Sequence, residues 1–490
     1  MPKQSNTLID SLGLRENPIV TGLWQVADLE RGGNTLDQNN ASDALLNYAE
    51  QGFHCFDMAD HYGSAELIAG AARAKLIKAG QDETSLKLYT KWCPEPHLFS
   101  LDAVRAGIEE RLNRLGVECI DLLQLHWWSF EHPGYIDVMD GLMLLKQEGR
   151  IKHIGTTNFD TDHLHVLLSA GFEVECNQVC LSVLDHRALG DMSQLCSEHQ
   201  VKLLAYGTLA GGFLSDQWLN QPEPDGVTDW SKMKYLRFIN ATGGWAVFQQ
   251  VMQALNTIAG KHGVSLANVA ARWVIQQAAV AGVIVGARLT ENAHHDSNRE
   301  LLSLKLDETD MQLISEVSTL LTRIPGDCGS EYRQPPYLTA SGDLSHHLNS
   351  LPKVYAKEPV PGRVNRWQVS SGSEYEPICG YSRAIRDGNR VMVSGTTATH
   401  GLDRPVGTNN PRAQTVYILD KIAASLGALG ATMDDVVRTR IYLKDCSNWE
   451  AVSRVHGRYF TQSRPANTLL EVSSLVGPYD VEIEAEAVIP

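Results

Sequence analysis

Eight short apolar runs, each followed by a longer helix-like stretch, pattern the chain between Ile19 and Arg288. They read IVTGLWQV, HCFDMA, LKLYTKW, IDLLQLHWW, KHIGTTNF, VECNQVCLSV, KLLAYGTL and AGVIVGAR. Several are apolar throughout instead of alternating, as strands buried on both faces of a parallel sheet are. The stretches between them carry helical periodicity. In LDAVRAGIEERLNRLG, Leu101, Val104, Ile108, Leu112 and Leu115 fall on one stripe, and Gly116 stands where the helix would stop. SLANVAARWVIQQ opens on a Ser cap. Eight such alternations predict an α/β fold, a (β/α)8 TIM barrel. The interval between the seventh and eighth runs is the longest, and its polar part, SDQWLNQPEPDGVTDW, reads as an insertion over the barrel mouth.

The alternation ends after LDETDMQLISEVSTLLTRI, which puts the barrel at residues 1–324. Residues 325–374 are rich in Pro, Gly and Ser and read as an inter-domain linker, with His346 and His347 as solvated residues in it. Residues 375–490 predict a smaller α+β domain of order ββαβαββ. AIRDGNRVMVSG is a hairpin around Asp387-Gly388, PRAQTVYILDKIAASLGALG a helix with Pro near its start, and NWEAVSRVHGRYF a helix capped by Asn448. VVRTRIYLKD, NTLLEVSSL and VEIEAEAVI supply the remaining strands.

A formal net charge of −16 disfavours nucleic acid and anionic membrane as partners. No run reaches the about 18 apolar residues a transmembrane helix needs, and MPKQSNTLID has neither an apolar signal core nor an Arg-rich presequence, so cytoplasmic residence is expected. The nine Cys include no CxxC pair and read as reduced thiols. Cys176 and Cys180 lack further ligands at zinc spacing, and no metal is expected.

In such a barrel the reactive groups sit where strands end. The second run ends at Asp57 with Tyr62 on its loop, the third at Lys91 and the fourth at His126. The fifth ends at Thr157 and Asn158, the sixth passes Gln178, and the seventh ends at Tyr206. Asp, Tyr, Lys and His together suit carbonyl reduction. A nicotinamide must bring the hydride, since no side chain can. Tyr62 can bring the proton if a cation eases its release, because a free phenol titrates near 10. Lys91 would be that cation, Asp57 would hold it, and His126 would orient the substrate oxygen.

FDMADHYGSAE, TKW, LLQLHWW, IGTTNF, NQV and AYGTL, in this order, resemble the motifs of the aldo-keto reductase family over about residues 10–320. The resemblance implies a tetrad of Asp57, Tyr62, Lys91 and His126, with Tyr62 as the acid, and an NADPH cofactor. Thr157, where the family more often has Ser, would hold the carboxamide with Asn158 and Gln178, and Tyr206 would stack on the nicotinamide. By the same resemblance VIVGAR makes Arg288 the candidate 2′-phosphate ligand, and it leaves open whether Asp296 or Asn298 takes the adenine-contacting position. Family members that reduce activated C=C bonds carry Glu at the place of His126, so the resemblance implies a C=O or related C=N substrate. Trp24 and Trp127 lie where the family forms an apolar substrate wall.

GYSRAIRDGNRVMVSGTTA and RPANTLLEVSSLVGPYDVEIEAEAVIP resemble the Rid (YjgF) family, trimeric proteins with a chorismate-mutase-like fold, over about residues 375–490. Tyr381 and Glu484 match its pocket positions. Its imine-hydrolysing members carry a carboxylate-gripping Arg where this chain has Asn467, and Asn cannot make a charged bidentate pair. The domain is therefore expected to bind another ligand or to assemble the chain into a homotrimer. Two rivals to a reductase remain at this level: a cofactor-binding regulatory protein with little turnover, and an imine or enamine hydrolase acting through the second domain.

Overall fold

The structure is a computed structural model and describes residues 4–26, 35–290, 294–333 and 351–490. His346 and His347 lie outside the described residues.

All eight apolar runs form strands: β1 (Ile19–Gly22), β2 (Cys55–Asp57), β3 (Lys87–Trp92), β4 (Ile120–His126), β5 (Ile151–Thr157), β6 (Cys176–Cys180), β7 (Lys202–Tyr206) and β8 (Val280–Gly286). They close in sequence order into a parallel barrel, with β8 returning to β1 from Ile19↔Val283 to Gly22↔Gly286. Continuous apolarity has its expected cause, since β4 is buried along its whole length except at Asp121. One end of the interior is filled by Val20, Cys55, Tyr89, Leu122, Cys176 and Leu204, on which Leu12 and Leu14 pack. The Tyr89 hydroxyl donates to the Leu12 carbonyl there. That end is plugged, which leaves the C-terminal ends of the strands as the open mouth.

The flanking helices begin and stop as their sequences dictate. Ser100 Oγ accepts from the Ala103 amide at 3.2 Å ahead of the helix Leu101–Leu115, and Gly116 ends it at φ 64°. Ser265 caps Leu266–Ile275 in the same way. The long interval between β7 and β8 contributes the helix Trp230–Ala241, which packs on the 3-10 turn Ala210–Gly212 at the mouth.

The second domain is a mixed sheet. Its strands are β9 (Lys357–Pro359), β10 (Arg366–Val369), β11 (Ala384–Asp387), β12 (Arg390–Thr396), β15 (Val436–Leu443), β16 (Ala466–Glu471) and β17 (Val481–Val488). A separate small pair is formed by β13 (Thr399–His400) and β14 (Arg404–Pro405). The spatial order is β16-β15-β17-β12-β11-β10-β9. The helices Pro411–Ala428 and Trp449–Tyr459 follow the expected order. Asn448 precedes the latter without a side-chain cap bond; Asp445 instead accepts from the Ser447 amide at 2.8 Å.

The interval 325–374 is not wholly a connector. Ser330–Arg333 forms a helical turn with Glu331 and Tyr332 buried, while β9 and β10 extend the second sheet through β11. Its Pro and Gly content reads as loop, but an edge strand tolerates such residues.

The two domains share a polar seam. The helix Pro411–Ala428 packs on the barrel helix Thr161–Ser169. His163 stands between the two domains, with Nδ1 2.7 Å from Asp160 and Nε2 2.9 Å from Asp420. Arg412 and Arg458 reach Asp162 at 3.0 and 2.5 Å, and His400 meets Asp137 at 2.9 Å. Among the described residues no helix is long and apolar enough to cross a membrane. All nine cysteines are free thiols, and Cys176 and Cys180 are buried in the barrel.

Candidate active site

A cavity of about 590 Å³ opens at the C-terminal ends of the strands and is lined by Asp57, Tyr62, Lys91 and His126 together. Lys91 Nζ donates to Asp57 Oδ2 at 2.5 Å and to the Met58 carbonyl at 3.0 Å, and both side chains are only 4% exposed. The other Asp57 oxygen accepts from Gln124 Nε2 at 3.0 Å and Gln178 Nε2 at 2.8 Å. The carboxylate is thus spent on Lys91 and two amides, not on a helix end. Tyr62 lies over this pair, its ring centroid 5.1 Å from Lys91 Nζ, and Trp24 meets it edge-on at 4.9 Å.

His126 closes β4 and faces the same cavity. Its ring lies 4.0 Å from Trp128, its Nδ1 is 3.6 Å from Cys93 Sγ, and its buried Nε2 has no hydrogen-bond partner among the described residues. Burial, reinforced by the positive field of Arg333, His61, Lys91 and Lys234, holds its pKa well below the ordinary histidine value, so the ring is neutral.

The residues expected at a nicotinamide line the cavity as well. Asn158 sits just past β5 at φ 56°, a left-handed conformation Asn tolerates. Its Oδ1 accepts from the Tyr206 hydroxyl at 2.7 Å. Thr157 donates its hydroxyl proton across the strands to the Gln178 carbonyl at 3.1 Å, and Gln178 Nε2 also reaches Gln124 Oε1 at 2.9 Å. One side of Tyr206 is taken by Lys234, whose Nζ is 5.0 Å from the ring centroid.

Farther out, Asn298 lines the cavity and is 9% exposed, whereas the Asp296 side chain is 92% exposed and pairs with Arg299. Of these two residues, Asn298 lines the cavity and Asp296 does not. Arg288 is exposed and is not part of the lining.

Trp24 lines the cavity and donates to Ser231 Oγ at 3.2 Å. Trp127, expected beside it in a substrate wall, is completely buried behind the mouth. Its Nε1 is spent on the Ser129 and His132 carbonyls at 2.8 and 3.1 Å, and its ring packs on Phe99 and Tyr135. The residue after a strand's last inward side chain points outward, so His126 inward sends Trp127 out.

The three second-domain residues are not brought together within the chain. Asn467 pairs in register with Thr439 and donates to its Oγ1 at 2.9 Å, on the face that Thr439 shares with His456 of the covering helix. Glu484 lies on the opposite face, where its Oε1 accepts from Arg440 and the Tyr442 hydroxyl, each at 2.9 Å. Tyr381 is 39% exposed and bonds neither.

Some of the lining lay beyond the reach of strand-end reasoning. Tyr332, from the turn after the barrel, enters the cavity edge-on to His126, ring centroids 5.6 Å apart, and accepts from Lys234 Nζ at 2.7 Å. Glu331 anchors that turn between Arg187 at 2.8 Å and Lys234 at 3.3 Å. Arg333 donates to the carbonyls of Asn158 and Trp127. Nothing in the polar stretch GDCGSEYRQPP singles this turn out as part of the site. Beneath Tyr62, Asp60 accepts from the Cys93 amide at 2.9 Å, and Glu66 accepts from Thr90 at 2.6 Å with Arg114 at 3.1 Å, so the acids of FDMADHYGSAE tie this loop to β3 and its neighbours.

Comparison with known proteins bears on the family of each part of the chain. The model of the aldo/keto reductase family matches residues 18–319, and that described as endoribonuclease L-PSP, the Rid/YjgF family, matches 371–489. The chain is 24% identical over 323 residues to an NADH-specific methylglyoxal reductase of Escherichia coli K12, covering 62% of this chain and 94% of that protein. It is 36% identical over 113 residues to a RutC family protein of Pyrococcus abyssi, covering 23% of this chain and 87% of that one. A solved YjgF/YER057c/UK114 family structure from Mycobacterium tuberculosis aligns at 46% identity over 25% of this chain and 99% of its own, with a TM-score of 0.23. The chain therefore belongs to the aldo/keto reductase family and carries a Rid/YjgF domain after its barrel.

Proposed function

We propose that the barrel reduces an aldehyde or ketone with NADPH, Tyr62 donating the proton. The observation that carries this reading is the buried Lys91–Asp57 pair under Tyr62, facing the same cavity as the unpartnered Nε2 of His126. The residues present suit a nicotinamide dinucleotide. Asn158 and Gln178 each keep one amide atom outside the bonds described above, the side of Tyr206 away from Lys234 can take a ring, and the cavity runs on to Asn298. When bound, the cofactor supplies a hydride to carbon.

This chain's groups do the rest. His126, neutral and desolvated, donates from Nε2 to the carbonyl oxygen and fixes its position. Tyr62 passes its proton to that oxygen as negative charge develops on it. Lys91, held by Asp57, stabilises the phenolate left behind. Trp24 and Tyr332 screen the reacting atoms from water.

Arg288 is the proposed 2′-phosphate ligand and the reason for NADPH over NADH. The NADH-specific E. coli relative makes a parallel assay with both cofactors essential. Oxidation of each is followed against aldehydes, ketones and pyridoxal-like carbonyls. Tyr62→Phe should abolish turnover, by about 10³-fold, while the cofactor's binding titration is unchanged. Turnover surviving in that variant, or none in the wild type with any carbonyl, would overturn the reading.

The second domain is proposed to assemble the chain into a homotrimer in the cytoplasm. The barrel occupies its helical side, which leaves the opposite sheet face, with Met392, Leu470 and Tyr442, for neighbouring copies. Sedimentation of the full chain as a monomer would end that proposal.

A further inference from the structure

The proposed mechanism needs the single proton of a neutral His126 to be on Nε2, and a neutral imidazole has only one N–H to place. Among the described residues nothing on the cavity side selects that tautomer, because Nε2 has no hydrogen-bond partner there. The choice therefore falls to Nδ1, and the group in hydrogen-bond contact with Nδ1 is the Cys93 thiol at 3.6 Å. From these contacts we infer that Cys93 is a positioning residue: its S–H donates to Nδ1 and keeps the His126 proton on Nε2, aimed at the substrate oxygen.

The surroundings suit that task. Cys93 follows β3 directly, two residues after Lys91. Its backbone amide donates to Asp60 Oδ2 at 2.9 Å, and Arg111 stands 3.8 Å from the same oxygen with its side chain only 4% exposed. Asp60 in turn receives the His61 amide at 2.8 Å. The thiol is thereby fixed from the backbone by the loop that carries Tyr62. The imidazole is fixed from its flank, since Trp128 lies 4.0 Å away and Tyr332 meets it edge-on, which restricts ring flipping. A thiol suits the position because it is a weak donor and a weak acid. It orients a neutral ring without placing a full negative charge beside it, as a carboxylate would, and so leaves His126 unprotonated. Asp60, Asp57 and Glu66 are all committed elsewhere, to Cys93 and His61, to Lys91, and to Thr90 and the arginines.

The inference rests on the reductase reading for its purpose, but its test does not need turnover. Full-length protein labelled with ¹⁵N-histidine, with the His126 signals assigned by their loss in His126→Gln, reports the tautomer directly. The expected result is a protonated Nε2 and an acceptor-type Nδ1 in the wild type, with the Nδ1 signal shifted in Cys93→Ala and restored toward wild type in Cys93→Ser. A proton on Nδ1 in the wild type, or His126 signals unmoved in Cys93→Ala, would overturn it. In the carbonyl assay, Cys93→Ala should lower kcat about fivefold, the loss of one net hydrogen bond, with KM for the cofactor unchanged. Cys93→Ser should stay within about twofold, because a hydroxyl is the better donor. Equal losses in both variants would mean that packing, not donation, is what Cys93 contributes. If no variant turns over and the wild type does not either, the reductase reading has failed while the tautomer measurement still decides the role of Cys93.

Discussion

The barrel mouth and the outer face of the second sheet both carry basic–acidic pairs, but in opposite settings. Lys91–Asp57 is buried, with every carboxylate oxygen engaged. Arg440 bridges Glu484 at 2.9 Å and Glu486 at 3.1 Å on a face about a third open to solvent. A parallel barrel turns eight strand ends toward one point, so residues far apart in sequence converge within a single chain. A sheet covered on one side offers its other side as a plane, and Asn467 and Glu484 end on opposite faces of it. The first region can complete a site alone, while the second needs a neighbour.

The sharpest way to break that contrast is Lys91→Met. Removing one partner of a buried pair strands the other, so the variant should lose about 3–5 kcal/mol of stability. Carbonyl turnover should fall by about 10²-fold or more. Denaturant titration and steady-state kinetics on the same preparation check both. A stable, active Lys91→Met protein would mean that the barrel pair is no more essential than the open one.

A smaller effect separates wall from core within the barrel. Trp127→Ala should cost about 3–5 kcal/mol as a fully buried aromatic lost to a cavity. Trp24→Ala should shift the thermal midpoint little and raise KM for the carbonyl several-fold, since its ring faces the cavity. Reversed outcomes would return Trp127 to the substrate wall.

Much of this was legible because strand ends are periodic objects. The eight runs mark the strands, and the last polar residue of each marks the mouth, which is how Asp57, Lys91, His126, Thr157 and Asn158 could be collected unaided. What was not legible depends on where the chain goes after regularity stops. Tyr332 and Lys234 meet only because the turn past the barrel folds back onto the long seventh loop, and nothing local in either segment encodes that encounter. Trp127 was misplaced because motif position does not state which way a side chain points, whereas alternation from His126 does. Asn467 shows the same limit: its place in RPANT is readable, but its face follows from its register with Thr439. β9 was hidden in a Pro- and Gly-rich interval because an edge strand needs little propensity of its own, and β10 because it is a four-residue run between such stretches.

The last contrast lies in the seam through which the two regions meet, and it is read from how the effect changes with pH. His163 stacks on Phe130 at 3.6 Å and is faced by Asp160 from the barrel and Asp420 from the second domain, the latter also bonded by the Tyr459 hydroxyl at 2.7 Å. Burial alone would depress its pKa, but the two carboxylates outweigh burial and raise it to about 10. A histidine raised in the folded state stabilises fully below its unfolded value near 6.5 and loses that contribution as pH climbs through about 10. The difference in thermal midpoint between wild type and His163→Gln should therefore be largest at pH 6, smaller at pH 8, and nearly closed at pH 10. A gap that stays constant across this range would mean His163 joins the domains by packing alone. A gap that widens would mean the imidazole is neutral in the seam, and the two carboxylates would then need another counter-charge to hold the second domain against the barrel.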